Sequence, residues 1–376
     1  MKLLLIVLLF STFCYGQQTI YDTIYHAGIQ RDYILYIPAN YTPTVSYPLL
    51  INYHGRTSTA HSQMWFADFR PIADTAGFII VHPQGALDTN NITHFNVGFG
   101  GSNVDDLGFS ESLIDTISND YNINQNKIYC TGMSNGGYMS YHMACRLNHK
   151  IAAIASVTGS MSNYTINNCF LEHPTPVLQI HGTNDLTVPY NGSNFSQPID
   201  SVIQFWVSQN NCNTIPSTST FPDIVTSDGS TVDYFVYNNG NCNSNVELMK
   251  VVGGAHNWPG SPFGSAGTNY DINACKEIWD FLSKYNLNDL KCNTNPIFEK
   301  QNATLEIKIF PIPTNAFIYI EHNSNKCVEY EIISPLGKIV KTGNLNTSLT
   351  SINLRDLFPG IYYLKTSGMF FSIVVY

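Results

Sequence analysis

The chain has 376 residues, more than one ordinary domain needs, with 12% charged residues and a net charge of −9. No basic run interrupts that acidic balance, which argues against nucleic acid as a partner. Nine cysteines occur without a C-x-x-C pair and no H-E-x-x-H is present, so neither a metal site nor a cofactor is expected.

In chain order, Lys2 and the apolar run Leu3 to Phe10 read as a secretory leader (1–16), with small residues for cleavage near Gly16. The run is too short to cross a bilayer as a helix. Lipoprotein processing at Cys14 is the weaker option, because Phe13 before it is bulky. No later apolar stretch approaches membrane length, so no span is expected in the mature chain, which belongs outside the cell or on its surface. Tyr47 to Tyr53 reads as a buried strand with the exit His54-Gly55-Arg56-Thr57. Asp105 and Asp106 are expected to cap a helix from Ser110 to Tyr121. Lys127 to Thr131 is a second strand, and Tyr138 to Asn148 carries apolar residues at helical spacing. Pro176 to Gly182 and Glu247 to Val252 are further strands, and Ile272 to Tyr285 closes the alternation with a helix.

Between the second strand and its helix stands Gly132-Met133-Ser134-Asn135-Gly136-Gly137. A G-x-S-x-G placed on a strand-to-helix turn projects the serine hydroxyl above the sheet, and its glycines admit the close approach of strand and helix. Ser134 is therefore the expected nucleophile. Where such a serine leads, the acid and then the histidine follow along the chain. Of eleven histidines only His256 and His322 lie late enough, and His322 falls in a separate C-terminal segment. His256, carried by Gly253-Gly254-Ala255 past the end of a strand, is the expected base. Asp185, in the turn after Pro176 to Gly182, is the expected acid; no other carboxylate between Ser134 and His256 follows an apolar strand with a glycine exit. The oxyanion donors are expected at the backbone amides of Asn135 and Arg56, with Thr57 close behind Arg56. Trp258, together with Phe263, is placed as a candidate substrate-binding wall; packing under the histidine loop is an equal alternative for Trp258.

His54-Gly55, Val104 to Phe109, Gly132 to Gly137, His181 to Asp185 and Gly254 to Gly260 occur in that order. Together they resemble the esterase family of poly(3-hydroxybutyrate) depolymerases, feruloyl esterases and acetylxylan esterases, over roughly residues 20 to 285. The resemblance implies an α/β-hydrolase with a doubly wound sheet, ester substrates that are polyesters or esterified polysaccharides, and Ser134, Asp185 and His256 as its triad. The chain departs from the family at Arg56-Thr57, where smaller residues or Cys are common.

With the leader gone, eight cysteines remain for an oxidising compartment, where disulfides are the default. Cys145 with Cys169 and Cys212 with Cys242 are the expected bridges, Cys275 with Cys292 a weaker one, and Cys130 a buried free thiol; Cys327 has no evident partner. Residues 17–288 form the esterase domain and 289–304 an Asn-rich linker, and residues 305–376 turn to about seven short β-runs, the pattern of a sandwich. Phe310 to Thr314, Ser334 to Val340 and Leu357 to Leu364 resemble the C-terminal sorting domain of the type IX secretion system of Bacteroidetes, which implies that machinery as a partner. Ile312 stands where that family usually has Asn. Tyr319, Tyr330, Tyr362 and Tyr363 are expected in the core or an interface rather than in an exposed row. The competing reading of the whole chain is a surface adhesin or binding protein with a degenerate hydrolase domain, which predicts no esterase activity.

Overall fold

A computed structural model describes residues 17–292 and, in the tail, 307–314, 316–322, 328–334, 338–345, 347, 349–366 and 369–376. The leader, most of the linker and Cys327 lie outside the described residues. The chain divides into two compact units, Met1–Asn293 and Thr294–Tyr376.

The first unit opens with strands β1 (Gln18–His26), β2 (Ile29–Ile37) and β3 (Tyr47–Tyr53), then helices α1 (Ala60–Phe66) and α2 (Arg70–Ala76) and strand β4 (Ile79–Pro83). A two-residue pair, β5 (Ala86–Leu87) and β6 (Thr93–His94), precedes α3 (Asp106–Asp120), β7 (Ile123–Met133), α4 (Asn135–Arg146) and β8 (Ala153–Val157). There follow α5 (Asn163–Asn167), β9 (Val177–Gly182), α6 (Ile199–Gln209), β10 (Ser217–Thr220) and β11 (Thr231–Tyr237). Strand β12 (Val246–Val252) and helices α7 (Ala274–Leu282) and α8 (Leu287–Leu290) complete the unit.

Ten strands make one sheet in the order β1-β2-β4-β3-β7-β8-β9-β12-β11-β10. Its centre, from β4 to β12, is parallel, and both edges are antiparallel. The residues of β3 show why helices cover both faces. Leu49 and Ile51 join one core with Leu113, Met139 and Trp206 from α3, α4 and α6, whereas Leu50 joins another with Ala73, Ile278 and Leu282 from α2 and α7. Successive side chains of a strand point to opposite faces, so the consecutive apolar residues Leu49 to Ile51 need two layers over them.

Helix α3 begins four residues before the expected Ser110. Asp105 is its N-cap and accepts from the Gly108 N–H at 2.9 Å, while Asp106 already lies inside the first turn, in a buried ion pair with Arg31 at 2.5 Å. One of the two aspartates thus caps, and the other anchors the helix to β2.

His54, His82 and His142 are among the buried histidines of this unit that burial holds neutral. Burial lowers His54 and His142 to about 4 and His82 to about 3. A histidine whose folded value lies below its unfolded one stabilises the fold fully above about pH 6.5 and loses that contribution as pH falls toward the folded value. Unfolding should therefore take up as many as about three protons between pH 6.5 and 4. Denaturant titrations at pH 7, 6, 5 and 4 should show stability declining through this window; a flat profile would contradict the burial of these rings.

The disulfides agree with the sequence in one place and correct it in another. Cys145, late in α4, is bonded to Cys169. Cys242 bonds Cys292, not Cys212. Cys212 lies in the core on the α6 side, its Sγ 3.5 Å from the Ser244 carbonyl, whereas Cys242 packs against the other core. Cys292 follows α8, which packs beside the turn that holds Cys242. Cys275 is likewise a buried free thiol, with Cys130 and Cys212.

In the second unit, β13 (Ile307–Phe310), β14 (Phe317–His322), β15 (Val328–Ile333), β16 (Ile339–Leu345), β17 (Leu349–Asn353), β18 (Gly360–Thr366) and β19 (Met369–Val375) form two antiparallel sheets, β13-β14-β17 and β16-β15-β18-β19. Ile318, Ile320 and Ile352 of the first share one core with Ile332, Leu364 and Ile373 of the second, which makes a sandwich. Tyr362 is buried and Tyr330 packs against that core, but Tyr319 and Tyr363 are exposed, so these two are not core residues. Tyr362 and Tyr363 are neighbours on one strand, so only one of them can face inward.

Candidate active site

Every sequence-derived candidate lies in the segment that follows the C-terminal end of a parallel strand, the usual position for ligands in open α/β sheets. Ser134 sits between β7 and α4 at φ 54°, ψ −120°, a left-handed conformation that costs a non-glycine residue about 1–3 kcal/mol. Its N–H donates to the Val157 carbonyl at 2.8 Å. A methyl group at Gly136 would run into the Tyr53 carbonyl, and one at Gly132 would come within 2.5 Å of the same oxygen. The two glycines thus let β3 pass directly under the turn.

Asn135 fastens this turn from the other side. Its side-chain Nδ2 donates to the Phe95 carbonyl at 3.0 Å, and its Oδ1 accepts from the Phe95 N–H at 2.7 Å. The side chain is thereby committed, while its backbone amide makes no hydrogen bond among the described residues. As the first residue of α4 it is one of the unpaired amides at the positive end of the helix.

The β3 exit loop approaches closely, with a β-carbon built at Gly55 lying 3.4 Å from that of Ser134. His54, fully buried, fixes this loop. Its Nδ1–H donates to the Gly55 carbonyl at 2.7 Å, and its Nε2 accepts from the Gly85 N–H at 2.9 Å. The pattern requires the neutral ring, in keeping with the lowered proton affinity that burial gives it. The Gly55 carbonyl belongs to the same peptide as the Arg56 amide, so His54 sets the orientation of that N–H. The Arg56 amide has no partner among the described residues, whereas the Thr57 amide donates to the Thr93 carbonyl at 2.9 Å. The Arg56 side chain is drawn away to Asp88 at 2.7 Å.

Asp185 and His256 meet because their loops are laced together. The Thr183 N–H donates to the Val251 carbonyl, the Asn184 N–H to the Gly254 carbonyl, and the Gly253 N–H to Thr183 Oγ1. A methyl at Gly182 would collide with the Gly254 backbone. Asp185 is buried, and its Oδ1 accepts from the N–H groups of Thr187 at 2.9 Å and Val188 at 2.8 Å. Its Oδ2 lies 2.7 Å from His256 Nδ1. Buried His181 backs the carboxylate: its Nε2 donates to the Val188 carbonyl at 2.8 Å and stands 3.5 Å from Asp185 Oδ2. Of the other acids, Asp200 accepts from the Tyr190 hydroxyl at 2.6 Å, a contact with the loop that leads into its own helix.

Two cavities flank Ser134. One, of about 540 Å3, is lined by Ser134, His256, Arg56, Trp65, Phe66 and Phe263 among others. The other, of about 500 Å3, runs past Asn135, Phe95, Phe99, Tyr138 and Phe195 and includes Asp88 and Asn96. An ester has two arms on its carbonyl carbon, and a serine between two cavities can accommodate both.

Trp258 lines neither cavity. It is 1% exposed in the core beneath the histidine loop, edge-on to Phe69 at 6.1 Å, so its assignment to a substrate wall is corrected to packing. The wall that sequence reasoning missed is α1, whose His61 and Trp65 stand one turn apart and reach the cavity together. Their i, i+4 spacing directly after the His54-Gly55 exit was the available signal. Phe263, also named from the sequence, does line the cavity and is 61% exposed. No cluster of metal-ligating side chains occurs among the described residues.

Residues 106–219 match the phospholipase/carboxylesterase family, and residues 308–371 match the secretion system C-terminal sorting domain. The first unit, a mixed α/β fold, thus contains a segment similar to carboxylesterases, and the second a segment similar to secretion sorting domains. Among curated proteins, it is 28% identical over 275 residues to a bifunctional acetylxylan esterase/xylanase of Neocallimastix patriciarum, a match covering 71% of this chain and 35% of that protein. It is 27% identical over 271 residues to feruloyl esterase B of Piromyces equi, covering 68% of this chain and 46% of that one. The chain thus spans less than half the length of either relative. Among solved structures, an acetyl xylan esterase from Aspergillus awamori is similar with a TM-score of 0.48 and 12% identity, over 71% of this chain and 99% of that one.

Proposed function

We propose that the protein is a secreted serine carboxylic ester hydrolase acting on polymeric or plant-cell-wall esters through an acyl-enzyme on Ser134. The observation that carries this reading is the 2.7 Å contact between Asp185 and His256 Nδ1, with His256 and the strained Ser134 on the wall of one cavity. Asp185 accepts the Nδ1 proton of His256, which leaves Nε2 with a lone pair to take the Ser134 proton. Ser134 Oγ then adds to the ester carbonyl, and the oxyanion that forms receives the amides of Asn135 and Arg56. The imidazolium returns its proton to the leaving alkoxide. Water, activated by the same imidazole, releases the acid and regenerates Ser134.

The names of the two curated relatives favour acetylated or feruloylated polysaccharide as the substrate. The sorting domain supports release to the medium or the cell surface through the type IX machinery. Hydrolysis of a panel of p-nitrophenyl acetate, p-nitrophenyl butyrate, methyl ferulate, acetylated xylan and polyhydroxybutyrate film tests the reading, with Ser134→Ala as the blank. Failure on every ester would favour the adhesin alternative.

The sandwich has its own core, and the first unit buries two large ones. A protein truncated after Asn293 should therefore fold and match the full chain in kcat/KM on p-nitrophenyl acetate, while losing export. A well-folded truncation without activity would place catalytic groups in the tail.

A further inference from the structure

The cavity beside Ser134 does not end at α1. His61 lines it and also lines an adjoining open hollow of about 460 Å3, bounded by Tyr21, Asp22, Gln30, Asp32 and Gln84. Three aromatic rings mark the path between the two. Trp65 and His61 have ring centroids 6.4 Å apart, and His61 and Tyr21 repeat the same 6.4 Å step with their planes 28° apart. The Tyr21 hydroxyl lies 3.2 Å from His61 Nδ1, and the Arg70 guanidinium, itself held by Asp68, sits 4.1 Å over the Trp65 ring. The row is thus held in place, yet Trp65 remains 44% and Tyr21 62% exposed. Single exposed aromatics are ordinary on a protein surface. A row fixed by its own polar contacts and continuous with a reactive cavity is a prepared surface, because its side-chain entropy is already spent.

The groups beside the row select its occupant. Asp22 and Asp32 present carboxylates on β1 and β2, and an ionised carboxylate only accepts hydrogen bonds. Asp22 uses part of its capacity on the Thr23 N–H and the Tyr33 hydroxyl, and Asp32 meets the Gln30 amide at 3.5 Å. Lone pairs remain that need donors. A sugar ring supplies them, with an apolar C–H face to lie on an aromatic ring and hydroxyl donors at its edge. A polyester chain offers only carbonyl and ether oxygens, so it would dry these carboxylates without pairing them, a costly exchange. Anionic polymers would be repelled outright.

We propose that Tyr21, His61 and Trp65 form a platform for a neutral polysaccharide chain and lead its ester-bearing unit to Ser134. The inference rests on the esterase reading and narrows its substrate from polymeric esters in general to esterified glycans.

Full-length Tyr21→Ala tests it, because Tyr21 touches neither Ser134 nor its partners. KM for acetylated xylan should rise roughly threefold to tenfold, the loss of one aromatic contact. Kinetics on p-nitrophenyl acetate and the thermal midpoint should stay unchanged, and Tyr21→Phe should keep most of the polymer affinity. Equal KM on acetylated xylan for Tyr21→Ala and wild type would overturn the proposal. So would a loss of attachment to polyhydroxybutyrate film with xylan kinetics intact. If the wild type hydrolyses no ester, the esterase reading fails on its own. Calorimetric titration of unesterified xylo-oligosaccharide then still decides: binding that Tyr21→Ala abolishes sustains the platform, and absent or Tyr21-independent binding removes it.

Discussion

Ser134→Ala should lower kcat on a soluble aryl ester by roughly 10^4- to 10^6-fold while leaving the fold intact. The size of the loss follows from the chemistry: without Oγ no acyl-enzyme forms, and only the oxyanion amides and substrate binding remain to assist water. The fold should survive because the elbow is held by other groups. The Ser134 N–H bonds to Val157, the Asn135 side chain clasps Phe95, and Gly132 and Gly136 admit β3. Alanine inherits the same positive φ, so the strain stays and stability changes little. A fluorophosphonate should label Ser134 in the native protein and nothing in the variant. Labelling at any other residue, or a variant with near-native kcat, would remove Ser134 as nucleophile.

Asp185→Asn should cost roughly 10^4-fold in kcat, with little change in KM. Asparagine has the shape to keep accepting from the Thr187 and Val188 N–H groups through Oδ1, so the loop should hold. Its Nδ2, however, would present a donor where His256 Nδ1 now faces a carboxylate, and the ring would carry its proton on Nε2, where it cannot take one from Ser134. Because acid, base and nucleophile act as one proton-transfer unit, Asp185→Asn or His256→Ala added to Ser134→Ala should be little worse than Ser134→Ala alone. Full additivity of the losses would show independent roles. Asp200→Ala should be nearly silent in kcat, since its carboxylate serves the Tyr190 hydroxyl. An inactive Asp200→Ala beside an active Asp185→Ala would reassign the acid.

The residues proposed as reactive could be named from the sequence because each stands at a grammatical position: after an apolar strand, at a glycine, in a fixed order along the chain. Local sterics write that grammar. A serine at φ 54° demands glycines around it, and a strand covered on both faces demands consecutive apolar residues, so Leu49 to Ile51 and Gly132 to Gly137 announce themselves. The sandwich was legible for the same reason, through strands of short period and frequent turns. What joins distant segments was not. Cys242 bonds Cys292 because α8 packs on the turn that holds Cys242, and no spacing along the chain contains that packing. Trp258 and Trp65 are the same residue type near the same cavity, but one is under the histidine loop and the other on its rim, which only packing decides. Likewise, the sequence identified the His54-Gly55 exit and named both Arg56 and Thr57 as possible donors. Only the fold, by tying the Thr57 amide to Thr93 and the Gly55 carbonyl to His54, left Arg56 as the amide still free to point at Ser134.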